Sequence, residues 1–149
     1  MGEPHGIGVV GLGVISGQYL ETLGDHPAVR IAAAADLDAD RAQAVAERFP
    51  GARALSVAEL VADPAVQTVL NLTIPAAHGE VARAALAAGK NVYGEKPLAA
   101  TFDEALGVMA GANSAWVGGA PDTVLGSGVQ TARAVVDAGE IGRPVAAVA

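Results

Sequence analysis

The sequence predicts a doubly wound α/β domain, a parallel sheet with helices on both of its faces. Three observations predict it. Short apolar runs alternate with stretches of helical apolar spacing along most of the chain. Glycine, proline or an N-capping residue stands at nearly every change from one to the other. The 149 residues, 52% hydrophobic and 17% charged, carry enough apolar surface to close the core of one domain and are far from a disordered composition.

Gly6-Ile7-Gly8-Val9-Val10 reads as the first buried strand, opening into a glycine-rich turn. A helix follows over Val14–Leu23, with Ile15, Tyr19, Leu20 and Leu23 on one side and Gly24 as the stop. Val29–Ala35 is the second strand, and Asp38 caps a helix that carries Ala42, Val45, Ala46 and Phe49 at i, i+3, i+4 and i+7. Pro50-Gly51 ends it. Ser56-Val57-Ala58-Glu59 is a capping box, whose hydroxyl and carboxylate satisfy the first backbone N–H groups of a short helix ending near Asp63-Pro64.

Val66–Leu72 is the next strand, Ala76–Ala88 a helix closed by Gly89, and Asn91-Val92-Tyr93 a further strand. Thr101-Phe102-Asp103-Glu104 repeats the capping box, and Phe102, Ala105, Leu106 and Met109 mark one face of its helix. Trp116-Val117-Gly118 completes the series of strands. Right-handed crossovers then build the twisted parallel sheet. Beyond it, Asp122–Ala138 reads as one long helix with Leu125, Val129, Ala132 and Val136 on a face, and Pro144–Ala149 as a strand. Residues 1–120 therefore form the main domain and 121–149 a connector into a second one.

Nine Lys and Arg against sixteen Asp and Glu give a net charge of −7, which disfavours nucleic acid and anionic lipid as partners. The chain has no cysteine, which removes disulfides, thiol nucleophiles and thiolate metal sites, and fits a reducing compartment. Its start lacks the basic residues of a signal peptide, and no apolar run reaches the roughly 18 residues of a membrane helix. A soluble cytoplasmic protein is expected.

Chemistry concentrates at the strand ends. In Gly11-Leu12-Gly13-Val14-Ile15-Ser16-Gly17, Gly11 permits a tight turn, Gly13 lets the backbone approach a pyrophosphate, and the small Ser16 allows close helix–strand packing. The helix start then offers unpaired N–H groups to phosphates. The alternative is a glycine turn without a ligand. Asp36 lies 25 residues beyond Gly11, where a carboxylate reaches adenosine ribose hydroxyls and repels a 2′-phosphate. Leu37 and Asp38 supply no arginine to offset it, so NAD is expected over NADP; the alternative has Asp36 only capping its turn.

With strand order 3-2-1-4-5-6, the ends of strands 1 and 4 flank the crevice where ligands bind. Asn71-Leu72-Thr73-Ile74-Pro75 is then one wall, and Glu95-Lys96-Pro97 after strand 5 faces the same opening. Lys96 is the candidate chemical residue, since a lysine shielded from water exchanges a proton near neutrality; otherwise it is a solvated surface charge. His78 is a cofactor contact, a proton carrier or simply a partly exposed cap. His5 is expected at a disordered start and His26 in a turn, and no metal-ligand spacing is present.

Taken in order, Gly11 to Ser16, Asp36, Thr73-Ile74-Pro75 with His78, Gly89-Lys90-Asn91-Val92 and Glu95-Lys96-Pro97 resemble the glucose-fructose oxidoreductase, inositol dehydrogenase and MocA (Gfo/Idh/MocA) family over nearly the whole chain. The Glu-Lys-Pro tripeptide is the most specific part. Gly126 to Arg133 and Gly139-Glu140-Ile141-Gly142 are similar to that family's linking helix. The resemblance implies an NAD(P)-binding Rossmann fold and hydride transfer between a nicotinamide and a hydroxyl group of a sugar, cyclitol or related compound. It implies that Lys96 contacts the nicotinamide ribose and assists proton transfer at the substrate hydroxyl, and that Glu95 holds the cofactor. Thr73, Pro75 and His78 would line the dinucleotide, together with Gly11, Gly13, Val14, Ile15, Ser16, Asp36 and Leu37.

This sequence departs from the family at Ala76, where members often have Asn, and the family's second α+β domain, with its Asp/His pair and most of the substrate pocket, is expected to lie outside these 149 residues. The expectation is the cofactor-binding half of a dehydrogenase, with little or no turnover unless a complementing C-terminal domain chain joins it. The alternative is a free-standing NAD-binding module with a sensing or partner-binding role. A methyltransferase on a similar sheet is weaker, because Glu-Lys-Pro has no job there.

Overall fold

A computed structural model describes residues 2–146. Six strands, β1 (His5–Val10), β2 (Val29–Ala35), β3 (Arg53–Ala54), β4 (Thr68–Asn71), β5 (Asn91–Gly94) and β6 (Val117–Gly119), form one sheet in the order β3-β2-β1-β4-β5-β6. Every pairing is parallel. The helices are α1 (Ser16–Gly24), α2 (Ala39–Arg48), α3 (Val57–Ala62), α4 (Pro75–Ala87), α5 (Phe102–Ala110) and α6 (Ser127–Asp137).

Because strand side chains alternate between faces, adjacent residues feed two separate cores. Val9 and Leu70, paired across β1 and β4, turn to one face and pack with Leu20 of α1 and Ala42 of α2. Val10 and Val69 turn to the other and join Leu60 of α3, Val81 and Ala85 of α4, and Val108 of α5. Helices α1 and α4 therefore leave neighbouring strands on opposite faces, which opens a crevice between the ends of β1 and β4.

The caps fix where helices begin. The Asp38 carboxylate accepts the Asp40 N–H, and both capping boxes close reciprocally, Ser56 with Glu59 and Thr101 with Glu104. Hydrogen bonds from Ser56 favour the ionised Glu59 carboxylate and hold its pKa below the usual value. A Ser56→Ala protein is expected to lose about 1 kcal/mol of stability, read as a lower urea midpoint with unchanged slope.

Four expectations are corrected. Helix α1 starts at Ser16 rather than Val14, leaving Val14 and Ile15 in the turn. Strand β6 begins after Trp116, which is exposed. On α5 the larger stripe of Phe102, Leu106 and Met109 faces solvent, and Val108 is the buried residue. Two apolar stripes share that helix, and Val108 is the one that joins Val81, Ala85 and Leu86 of α4 in the core.

The fourth concerns the expected helix over 122–138. Asp122–Leu125 is a 3-10 turn closed by the Gly126 N–H on the Thr123 carbonyl at 2.8 Å, and Gly126 is extended, with ψ of 142°, before α6 begins. Gly126 and Gly128 weaken helix continuity at that point. None of α6 is buried. Of the strand expected over 144–149, residues 144–146 have no regular structure and 147–149 lie outside the described residues. Among the described residues no helix is long and apolar enough to cross a membrane.

Candidate functional site

The turn after β1 is shaped by what it must pass. Gly11 has φ of +88°, and a Cβ there would sit 2.7 Å from the backbone of Leu72 and Thr73, so the turn lies directly on the end of β4. A Cβ at Gly13 would instead meet nothing within 4 Å, leaving the backbone there open to a ligand. Among the described residues the amides of Gly13, Val14 and Ile15 have no acceptor in the protein, and they precede α1 directly. Three such donors at a helix start suit an anion. Ser16 is buried, and its Oγ donates to the Gly13 carbonyl at 2.7 Å, which ties the turn to the helix. Val14 is fully exposed and Ile15 partly so.

Asp36 follows β2 at one end of this turn. Its Oδ2 accepts the Leu12 N–H at 2.6 Å and its Oδ1 the Asp38 N–H at 2.9 Å. The carboxylate therefore both caps its own turn and grips the glycine turn. Each oxygen keeps a second lone pair for another donor. Leu37 beside it is fully exposed, and Arg41 is paired with Asp38 at 3.2 Å.

The opposite end is a cleft of about 550 Å³. Asn71, buried at the end of β4, accepts the Thr73 hydroxyl at 2.7 Å and donates to the His78 carbonyl at 3.0 Å. Pro75 opens α4, where its missing N–H costs nothing. His78, one turn on, is buried, with Nδ1 2.6 Å from the Pro97 carbonyl oxygen and Nε2 2.8 Å from that of Thr73. The residue is therefore no partly exposed cap, and its ring nitrogens face the protein rather than the cleft; His5, expected at a disordered start, instead opens β1 with Nε2 2.8 Å from the Thr68 hydroxyl oxygen.

Glu95 and Lys96 project from the end of β5. Glu95 Oε1 accepts the Tyr19 hydroxyl at 2.7 Å, joining α1 to β5 across the crevice. Lys96 is half-exposed and pairs with Asp122 at 3.7 Å, and the Lys96–Pro97 peptide is cis. Burial, with the hydrogen bond and charge of Glu95, pushes the Tyr19 phenol well above the ordinary tyrosine range. The fold thus favours the neutral phenol, and that contribution is lost only in strong alkali. Tyr19→Phe is expected to remove a late step from the alkaline tyrosinate absorbance titration.

The turn and the cleft are parts of one groove, since the Gly11 turn rests on Thr73 and both Ile15 and Thr73 line the cleft. It runs from Asp36 past the free amides to Glu95 and Lys96, a course suited to an elongated ligand with an anionic middle. The family model "Oxidoreductase family, NAD-binding Rossmann fold" of Gfo/Idh/MocA proteins matches residues 5–117. The chain belongs to this family. Inositol 2-dehydrogenase 3 of Saccharopolyspora erythraea is 33% identical over 95% of this chain and 43% of its own. GenD2 from gentamicin A biosynthesis, solved in complex with NAD, superposes with a TM-score of 0.85 at 31% identity, covering 94% of this chain and 41% of its own. KijD10, a 3-ketoreductase from Actinomadura kijaniata solved with TDP-benzene and NADP, has a TM-score of 0.85 at 28% identity, covering 95% and 46%. The chain thus spans less than half the length of these relatives, and of the two solved neighbours one was solved with NAD and the other with NADP.

Thr73, Pro75, His78, Glu95 and Lys96 all line the cleft, while Gly11, Gly13 and Asp36 gather at the other end of the groove. Two participants escape a reading of the sequence. Tyr19 looks there like one more apolar helix residue, and Asp122 like the start of a helix. Their partners, Glu95 and Lys96, lie far along the chain, and no local pattern signals either pairing.

Proposed function

We propose that this chain is the coenzyme-binding half of a nicotinamide-dependent oxidoreductase acting on a hydroxyl group of a sugar, cyclitol or related compound, with NAD as the preferred coenzyme. The observation that carries the reading is the groove itself, with three unpaired amides at the start of α1 set between Asp36 and the Glu95–Lys96 end. The amides of Gly13, Val14 and Ile15 would take the pyrophosphate, and Ser16 would keep the turn closed beneath it. Asp36 would accept ribose hydroxyls while repelling a 2′-phosphate. Leu37 would border the adenine, with Thr73, Pro75 and His78 on the wall toward the nicotinamide.

The nicotinamide supplies the acceptor or donor of hydride when bound. Glu95, held by Tyr19, positions its ribose. Lys96, able to leave its solvent-screened pair with Asp122, assists the proton that departs from or arrives at the substrate oxygen. These 149 residues by themselves are expected to bind coenzyme with little turnover, since the relatives named as a dehydrogenase and a reductase are more than twice as long. A complementing domain would supply the remaining substrate contacts.

Titration with NADH, NADPH and S-adenosylmethionine, followed by nicotinamide emission and by the sole tryptophan, Trp116, tests the reading. NADH should bind tightest. Tighter binding of NADPH would refute the coenzyme preference, and absence of binding by both would refute the function.

A further inference from the structure

His78 is 2% exposed, and its imidazole has two partners, both backbone carbonyls: Pro97 at 2.6 Å from Nδ1 and Thr73 at 2.8 Å from Nε2. A carbonyl oxygen only accepts. A neutral imidazole donates at one nitrogen and presents a lone pair at the other, so in either tautomer one of these contacts would set lone pair against lone pair inside hydrogen-bond distance. The doubly protonated ring alone turns both contacts into hydrogen bonds, and charge-assisted bonds are short, as these are.

The two carbonyls belong to different walls of the cleft. Thr73 is in the turn after β4 and Pro97 in the loop after β5, directly beyond Lys96. We propose that His78 is held as the imidazolium and acts as a positioning residue, a strut donating to both walls that sets where Lys96 stands.

The charged and titratable groups around the ring carry both signs. Glu95 and Lys96 from the β5–α5 loop, Asp122 from the 3-10 turn, Tyr19 from α1 and Tyr93 from β5 share the cleft that His78 lines. On the helix side, Arg83 of α4 and Glu104 of α5 flank the adjoining Gly79. Among the described residues none of these hydrogen-bonds to the imidazole. Removing either ring proton would leave one carbonyl opposed by a lone pair, so the strut needs both.

Nitrogen-15 spectra of the imidazoles, with His5 and His26 as internal references, test the charge directly on the unmodified chain. Two protonated ring nitrogens on His78 at pH 7 are expected; one unprotonated nitrogen at that pH overturns the proposal. The consequence for coenzyme rests on the function proposed above. NADH affinity should be about tenfold lower in His78→Gln than in the wild-type chain, and the two proteins should differ in the pH profile of that affinity. Parallel pH dependence in the two proteins would overturn the positioning role. If the chain binds neither NADH nor NADPH, the proposed function fails, while the ring spectrum still decides the strut.

Discussion

Gly11→Val is expected to abolish NADH binding and to lower stability by about 3 kcal/mol or more, the combined cost of a strained left-handed backbone and of overpacking. The added Cβ has no side chain to push aside. It would lie 2.7 Å from the backbone of Leu72 and Thr73, and a β-branched residue at φ of +88° is strained before any contact is counted. Relief requires the turn to lift off β4, which moves the Leu12 amide from Asp36 and the three open amides from the helix axis. Urea denaturation reads the stability and nicotinamide emission the binding. Gly13→Ala is the companion test: its Cβ enters open space, so it should fold normally and weaken coenzyme binding selectively.

Asp36→Ala is expected to weaken NADH by about 2 kcal/mol, roughly thirtyfold, and NADPH by much less. Two effects combine here, because the carboxylate faces ribose on the proposed reading and also holds the Leu12 amide. Asp36→Asn separates them. Its side-chain carbonyl still accepts from Leu12, but the charge is gone, so it should keep the turn in place while narrowing the gap between NADH and NADPH. Equal losses for both coenzymes in Asp36→Asn would show that the charge does not select between them. Lys96→Ala, by contrast, should leave NADH binding measurable, since that side chain is half-exposed and its assigned work is on the substrate oxygen.

The strands were legible in the sequence because parallel-sheet strands are buried on both faces and read as unbroken apolar runs, as in Val29–Ala35. Both capping boxes were legible for a similar reason: their hydrogen bonds close within four residues. What resisted was orientation about a helix axis. On α5 the larger apolar stripe is outside and Val108 joins the core, a choice between two apolar stripes that helical spacing alone does not make. Site geometry divides in the same way. The glycine turn and Asp36 announce themselves by spacing, whereas the Tyr19–Glu95 bond and the two carbonyls around His78 arise only when the sheet brings distant segments together.

The place of the opening strand at the middle of the sheet has a consequence for biosynthesis. As the polypeptide leaves the ribosome, residues 5–54 can assemble a three-stranded half whose inner edge is a row of unpaired backbone groups on the first strand. That edge stays uncovered until residues 68–71 are translated and slot against it. Nascent chains stalled before that point should engage chaperones strongly, and release should coincide with arrival of the fourth strand.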